Sequence, residues 1–191
     1  VVIIDRGKHP RFAIGESTTP AADFLLHHLA DHYGLSELIP LTRYGSWHSH
    51  YPHVRCGCKR GFSYVWHGNG TAYYATYDHC NELMVTANAS REVADTQWYR
   101  PDVDVFFLQV AKSYGVSVIE EATMDEIDAD ESGNHRLYCV VRGERQVIHC
   151  PFVIDGSGPQ SRLMKKYGGA DLTSQLFTNT SAIYGHFVGG Q

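Results

Sequence analysis

The sequence predicts an α/β fold of the doubly wound kind, and three observations carry that prediction. An apolar run ends in an acid at Val1-Val2-Ile3-Ile4-Asp5, and a second does so at Phe152-Val153-Ile154-Asp155. An amphipathic helical stretch also stands directly before a third strand-like run, Val116-Ser117-Val118-Ile119. Unbroken apolar runs of this length mark strands buried on both faces of a parallel sheet. In such sheets ligands gather at the carboxyl ends of the strands, where Asp5, Asp155 and Gly156-Ser157-Gly158 fall.

The elements follow in order. After the first run, Arg6 to Pro10 reads as a loop, and Gly15-Glu16-Ser17-Thr18-Thr19-Pro20 as a turn that opens a helix. Ser17, Thr18 or Thr19 can cap that helix, and Pro20 suits its first turn, where a missing N–H costs nothing. Apolar Ala22, Leu25, Leu26, Leu29 and Ala30 recur at spacings of three and four up to Tyr33, and Gly34 ends the stretch. From Pro40 to Asn88 the chain turns aromatic, histidine-rich and β-prone. A Gly68-Asn69-Gly70 turn there predicts a hairpin between Phe62–Trp66 and Thr71–Tyr74.

Pro101 to Ser113 is the amphipathic helix, with Val103, Phe106, Phe107, Val110 and Ala111 on one face and Gly115 as its stop. Thr123 to Asp128 and a hairpin with turns at Glu131–Asn134 and Arg142–Glu144 follow. The chain opens inside an apolar run without a methionine, and it closes on strand-like Ser181–Phe187 and Gly189-Gly190-Gln191. Both ends read as cuts through a larger domain.

Bulk properties narrow the function. With 43% hydrophobic residues over 191 positions the chain can bury a core. A formal charge of −5, from 16 basic and 21 acidic residues mixed along the chain, leaves no basic face for nucleic acid. No apolar run is long enough for a membrane helix and no signal peptide pattern opens the chain, so a cytoplasmic protein is expected. Five cysteines at irregular spacing read as free thiols. His48, His50 and His53 lie near Cys56 and Cys58, but the cysteines are one residue apart, against the two-to-four-residue ligand pairs of structural zinc, so no metal site is expected.

Candidate chemistry rests on few residues. Asp5 stands where a dinucleotide fold presents a carboxylate to ribose hydroxyls, or is simply a strand-end acid that caps a turn. The glycine turn at Gly15-Glu16-Ser17 aims backbone N–H groups and a helix dipole at an anionic or electron-rich group, or is simply a cap. Arg100 opposes the dipole of the helix it opens, so it is expected to reach a carboxylate or phosphate elsewhere. Lys59 lies between glycines and ahead of an aromatic strand, where either solvent or a reactive centre accounts for it.

Taken in order, these segments resemble the flavin-dependent halogenase family, tryptophan-halogenase-like FAD-dependent oxidoreductases. The resemblance is carried by Pro10-Arg11-Phe12-Ala13-Ile14-Gly15-Glu16-Ser17-Thr18-Thr19-Pro20, Lys59-Arg60-Gly61-Phe62, Trp98-Tyr99-Arg100-Pro101-Asp102-Val103-Asp104 and Ile154-Asp155-Gly156-Ser157-Gly158. Val103 stands where the family has an aromatic residue, and Gly156 where alanine is usual. The family's glycine loop would precede Val1, and its Trp-x-Trp-x-Ile-Pro motif would follow Gln191.

The resemblance implies a Rossmann-like FAD-binding domain of the hydroxybenzoate-hydroxylase type with an inserted β-rich substrate layer. Residues 1–40 and 90–170 would belong to the former, and 41–89 and 171–191 to the latter. It implies FAD supplied reduced by a separate flavin reductase, a halide ion, and hypohalous acid made from dioxygen for a small aromatic or carrier-bound substrate. Lys59 and Glu16 would be catalytic. Asp5 and Arg6 would lie near the adenosine ribose, Gly15, Glu16, Ser17 and Thr18 near the isoalloxazine, and Arg100 near the pyrophosphate or the ribityl chain. Met124 would meet adenine through its backbone, with Asp155, Gly156 and Gly158 along the dinucleotide. The alternatives are a monooxygenase or dehydrogenase of the same superfamily, and a flavin-free scaffold module.

Overall fold

A computed structural model describes residues 1–86, 88–158, 161–178, 180 and 182–185. The chain forms two compact units, Val1–Thr123 and Met124–Gln191.

In the first unit, β1 (Val2–Ile4) pairs in parallel with β6 (Ser117–Ile119), matching Val2 to Ser117, Ile3 to Val118 and Ile4 to Ile119. The ladder extends past β1, because Asp5 N–H donates to the Ile119 carbonyl at 2.9 Å. Between these strands the chain makes two long helices. Helix α1 (Pro20–Tyr33) is capped by the Thr19 hydroxyl, which accepts the Ala22 N–H, and Gly34 ends it in the left-handed region. Helix α3 (Arg100–Ser113) leads into β6.

A 3-10 helix at Ser36–Thr42 and the short α2 (Tyr44–His50) complete the core. Ala30, Leu38, Leu41, Trp47, Val54 and Val103 are buried together, with Leu26, Trp98, Phe106 and Phe107 packed against them. Burial of Trp47 is complete, and its indole N–H is satisfied by the Val54 carbonyl at 2.8 Å. The aromatic segment provides β2 (Cys56–Lys59) and β3 (Gly61–Val65), and β4 (Glu82–Thr86) and β5 (Asp95–Trp98) follow. β2 pairs antiparallel with β5, and β3 with β4.

The second unit holds a meander, β7 (Ala122–Ala129, its first two residues still in the first unit), β8 (His135–Val141) and β9 (Glu144–Cys150), in that spatial order. The turns fall where the sequence places them. Asp130 accepts the N–H groups of Ser132 and Asn134, and Arg142 and Gly143 turn the second hairpin with positive φ. Arg136 grips Asp128 with two nitrogens, at 2.7 and 2.9 Å. A short α4 (Arg162–Lys166) starts at Ser161, whose hydroxyl accepts the Met164 N–H.

Five expectations need correction. The partner of β3 is Glu82–Thr86, not Thr71–Tyr74. A Cβ on Gly61 would stand 2.0 Å from the Val85 carbonyl, so glycine is what admits this close pairing, and Trp66 to Asn81 becomes its long loop. Phe152–Asp155 is not a strand. Among the described residues it has no ladder to join, and Phe152 and Ile154 are exposed. β1 is not covered on both faces, since Val2 is 44% exposed. The apolar face of α1 is only partly used, with Leu26 and Ala30 inside and Leu25 and Leu29 outside. Of the strand expected at Ser181–Phe187, Ser181, His186 and Phe187 lie outside the described residues, and Ala182–Gly185 is irregular.

Candidate functional site

The turn before α1 is stitched onto β5. Thr18 N–H donates to the Thr96 carbonyl at 3.1 Å, Trp98 N–H donates to the Glu16 carbonyl at 2.6 Å, and Ser17 and Gln97 form an antiparallel bridge. Because β5 pairs on its other edge with β2, the order across this patch is turn, β5, β2. Thr18, Thr96 and Cys58 therefore lie in one row, and Asp95 stands opposite Lys59 in the next. Lys59 and Thr18, 41 residues apart in the chain, meet across this patch, and the lysine ammonium donates to the Thr18 carbonyl.

Lys59 is 4% exposed, its Nζ 3.9 Å from the centre of the Phe62 ring. Burial pushes its pKa below the ordinary lysine value, and the charges of Asp95 and Asp23 oppose that shift. Asp95 is 3% exposed and Asp23, in the first turn of α1, 9%. Neither Asp23 Oδ1 nor Asp95 Oδ2 has a hydrogen-bond donor among the described residues. Burial, then the Asp95 carboxylate, raises the Asp23 carboxyl to about 7.

These acids escaped the sequence reading. One signal was available: Asp23 is on the same helical stripe as Leu26 and Ala30, where an acid has no reason to be unless something buried answers it.

The remaining predicted residues have varied surroundings. Gly15 (φ +89°) makes the turn, and Arg100 holds it, donating to the Ile14 carbonyl at 2.6 Å and the Gly15 carbonyl at 3.2 Å. The same guanidinium grips Asp104 at 2.6 and 3.0 Å. The carboxylate expected for Arg100 is thus on its own helix, and the guanidinium acts through the turn. Thr18 is buried, and its hydroxyl is spent on the Thr96 backbone, while Ser17 is exposed and Glu16 half-buried.

Asp5 is half-buried at the end of β1, accepting the Gly7 N–H at 2.7 Å and the Arg11 guanidinium at 3.2 Å. Burial raises its pKa, but these two partners outweigh it and hold the carboxyl below its ordinary value. A carboxylate offers about four acceptor positions, so two partners leave capacity for ribose hydroxyls. Arg6 is exposed.

In the second unit, Met124 is half-buried on β7. Asp155 is exposed and closes its own turn, taking the Ser157 N–H and hydroxyl and the Ser161 hydroxyl. A Cβ on Gly156 or Gly158 would meet none of the described residues within 4 Å. No group of three or more His, Cys, Asp or Glu is placed to hold a metal ion among the described residues. Among them, too, no helix is long and apolar enough to cross a membrane.

No family model matches the chain. Individual proteins do. The monodechloroaminopyrrolnitrin halogenase PrnC of Pseudomonas fluorescens is 31% identical over 189 residues, and the tetracycline 7-halogenase of Kitasatospora aureofaciens 24% identical over 189. Each alignment takes in 99% of this chain, which spans about a third, 32%, of each relative's length. The crystal structure of halogenase PltM in complex with phloroglucinol and FAD superposes with a TM-score of 0.73 at 25% identity, over 87% of this chain and 31% of that one.

An acid-ended parallel strand, a glycine turn opening a helix and this likeness define the class: the fold is that of an FAD-binding α/β oxidoreductase domain of the Rossmann-like kind. Within that class the ordered motifs and the relatives converge on the flavin-dependent halogenases, the family that this chain resembles.

Proposed function

We propose that this chain is part of an FAD-dependent halogenase that installs a halogen on a small, electron-rich aromatic substrate. The observation that carries the proposal is the buried Lys59 ammonium, fixed at the turn before α1 and roofed by the Phe62 ring. The flavin, when bound and reduced by a separate reductase, supplies the electrons that turn dioxygen and a halide ion into an electrophilic halogen oxidant.

The chain's own residues then hold and aim that oxidant. An ammonium has three N–H donors; one is committed to the Thr18 carbonyl, and the others serve the oxidant's oxygen where bulk water is kept away. Donation polarises the oxygen–halogen bond as the halogen passes to the aromatic carbon, and the oxygen leaves with the bonding pair as hydroxide, which takes up a proton to become water. We assign Glu16, half-buried in the same turn, to accept the proton which that carbon releases.

For the cofactor we assign Asp5 and Arg6 to the adenosine ribose, and Gly15, Ser17 and Thr18 to the isoalloxazine. Arg100 is the support that keeps the turn in shape. The second unit's share is Met124 toward adenine, with Asp155, Gly156 and Gly158 along the dinucleotide. Residues 1–40 and 90–170 then count as FAD-binding domain, and 41–89 and 171–191 as substrate layer. Five unpaired cysteines accord with a reducing, cytoplasmic setting.

The test supplies the full-length protein with FAD, a flavin reductase, halide and an arene. Halogenated arene is expected. A product that gains oxygen and no halogen would overturn the proposal in favour of a monooxygenase, and a colourless protein that binds no FAD would point to a scaffold.

A further inference from the structure

Lys59 faces two acids that the reading above leaves without a task. Asp95 approaches it from the paired strand β5, Asp23 from the first turn of α1, Thr18 from the turn and the Phe62 ring from β3. Asp95 stands opposite Lys59 in the β2–β5 register and Asp23 lies five residues beyond Thr18, whose carbonyl holds the lysine, so both acids act on the one ammonium and on each other. Both are more than nine-tenths buried, and each has a carboxylate oxygen with no donor, Oδ1 of Asp23 and Oδ2 of Asp95. Two ionised carboxylates cannot sit side by side in a water-poor site without a large penalty, and one proton between them removes it.

We propose that Asp23 and Asp95 hold a single proton between them and act as one positioning unit for Lys59, setting one negative charge against one ammonium. Charge balance then keeps Nζ at the Thr18 carbonyl, directed to the oxidant. Loss of the shared proton makes the pair a dianion, which draws Nζ away from that carbonyl. Near-neutral titration of Asp23, raised by burial and by Asp95, accords with this geometry. The step belongs to the pair and not to either residue. The positioning role rests on the proposed halogen chemistry of Lys59; the shared proton does not.

The experiment is a carbon-13 and nitrogen-15 NMR titration of the chain, labelled at aspartate and lysine, for the wild type, Asp23→Asn and Asp95→Asn. In the wild type one carboxyl proton should leave near neutrality, and the Lys59 resonance should move at the same pH. In either single variant both events should move to lower pH, because an asparagine partner brings no charge against ionisation and its amide can donate to the remaining carboxylate. An upper step that stays at the wild-type pH in Asp95→Asn would overturn the proposal, since Asp23 would then titrate alone. So would a wild type in which both carboxyls are ionised at pH 6, a result that needs no variant to fold. A stationary Lys59 resonance through the upper step would overturn the positioning role. Failure of the full-length protein to halogenate would instead sink the functional reading and leave the titration result standing.

Discussion

Asp95 and Asp155 are both carboxylates, one opening strand β5 and the other ending a segment the sequence reads as strand, yet they meet opposite fates. Asp155 is exposed and satisfies its oxygens with Ser157 and Ser161, so its charge closes a turn. Asp95 is 3% exposed, and its Oδ2 has no donor among the described residues. A carboxylate supplied with local donors holds the chain in shape. One buried without them, beside a second acid and a lysine, costs stability that a fold keeps only where the charges have another use.

Three substitutions sharpen the contrast, in falling order of effect. Asp23→Asn removes one of the crowded acids and should stabilise the chain at pH 8 by roughly 1–3 kcal/mol, the usual penalty of an unsatisfied buried polar group. The sign follows from the raised carboxyl. Between about pH 4 and about 7 the folded wild type keeps a proton that the unfolded chain releases, so its stability falls as pH rises through that window. Urea titrations should show the gap between variant and wild type opening across this window and staying constant above it. A gap that closes as pH rises would reverse the contrast.

Arg100→Met leaves the Ile14 and Gly15 carbonyls and Asp104 without their donor and should cost about 1.5 kcal/mol by chemical unfolding. Asp155→Asn keeps an acceptor in the exposed turn and should change stability by no more than about 0.5 kcal/mol. A loss as large as that of Arg100→Met would show that the turn is not self-sufficient.

Local pattern made much of this legible. The two long helices, the strand runs of β1 and β6 and the β8–β9 hairpin follow from apolar spacing, capping residues and turn residues close in sequence. What local pattern cannot supply is a distant partner. Phe152–Asp155 has a strand's composition and no ladder, whereas β3 skips the nearby Thr71–Tyr74 to pair with Glu82–Thr86. The site divides in the same way. Lys59 and the Gly15 turn carry motifs, while the relation of Lys59 to Thr18, Asp23 and Asp95 depends on β5 lying between them. Asp23 betrayed itself only as an acid on a buried stripe.

The account centres on the buried ammonium, and the most direct measurement is a single turnover of the full-length Lys59→Met variant with reduced FAD, dioxygen, halide and an arene. Flavin should reoxidise at the wild-type rate while halogenated product falls at least about 100-fold, the scale expected for removing one aimed donor. Undiminished product from a variant that still binds FAD would contradict the account.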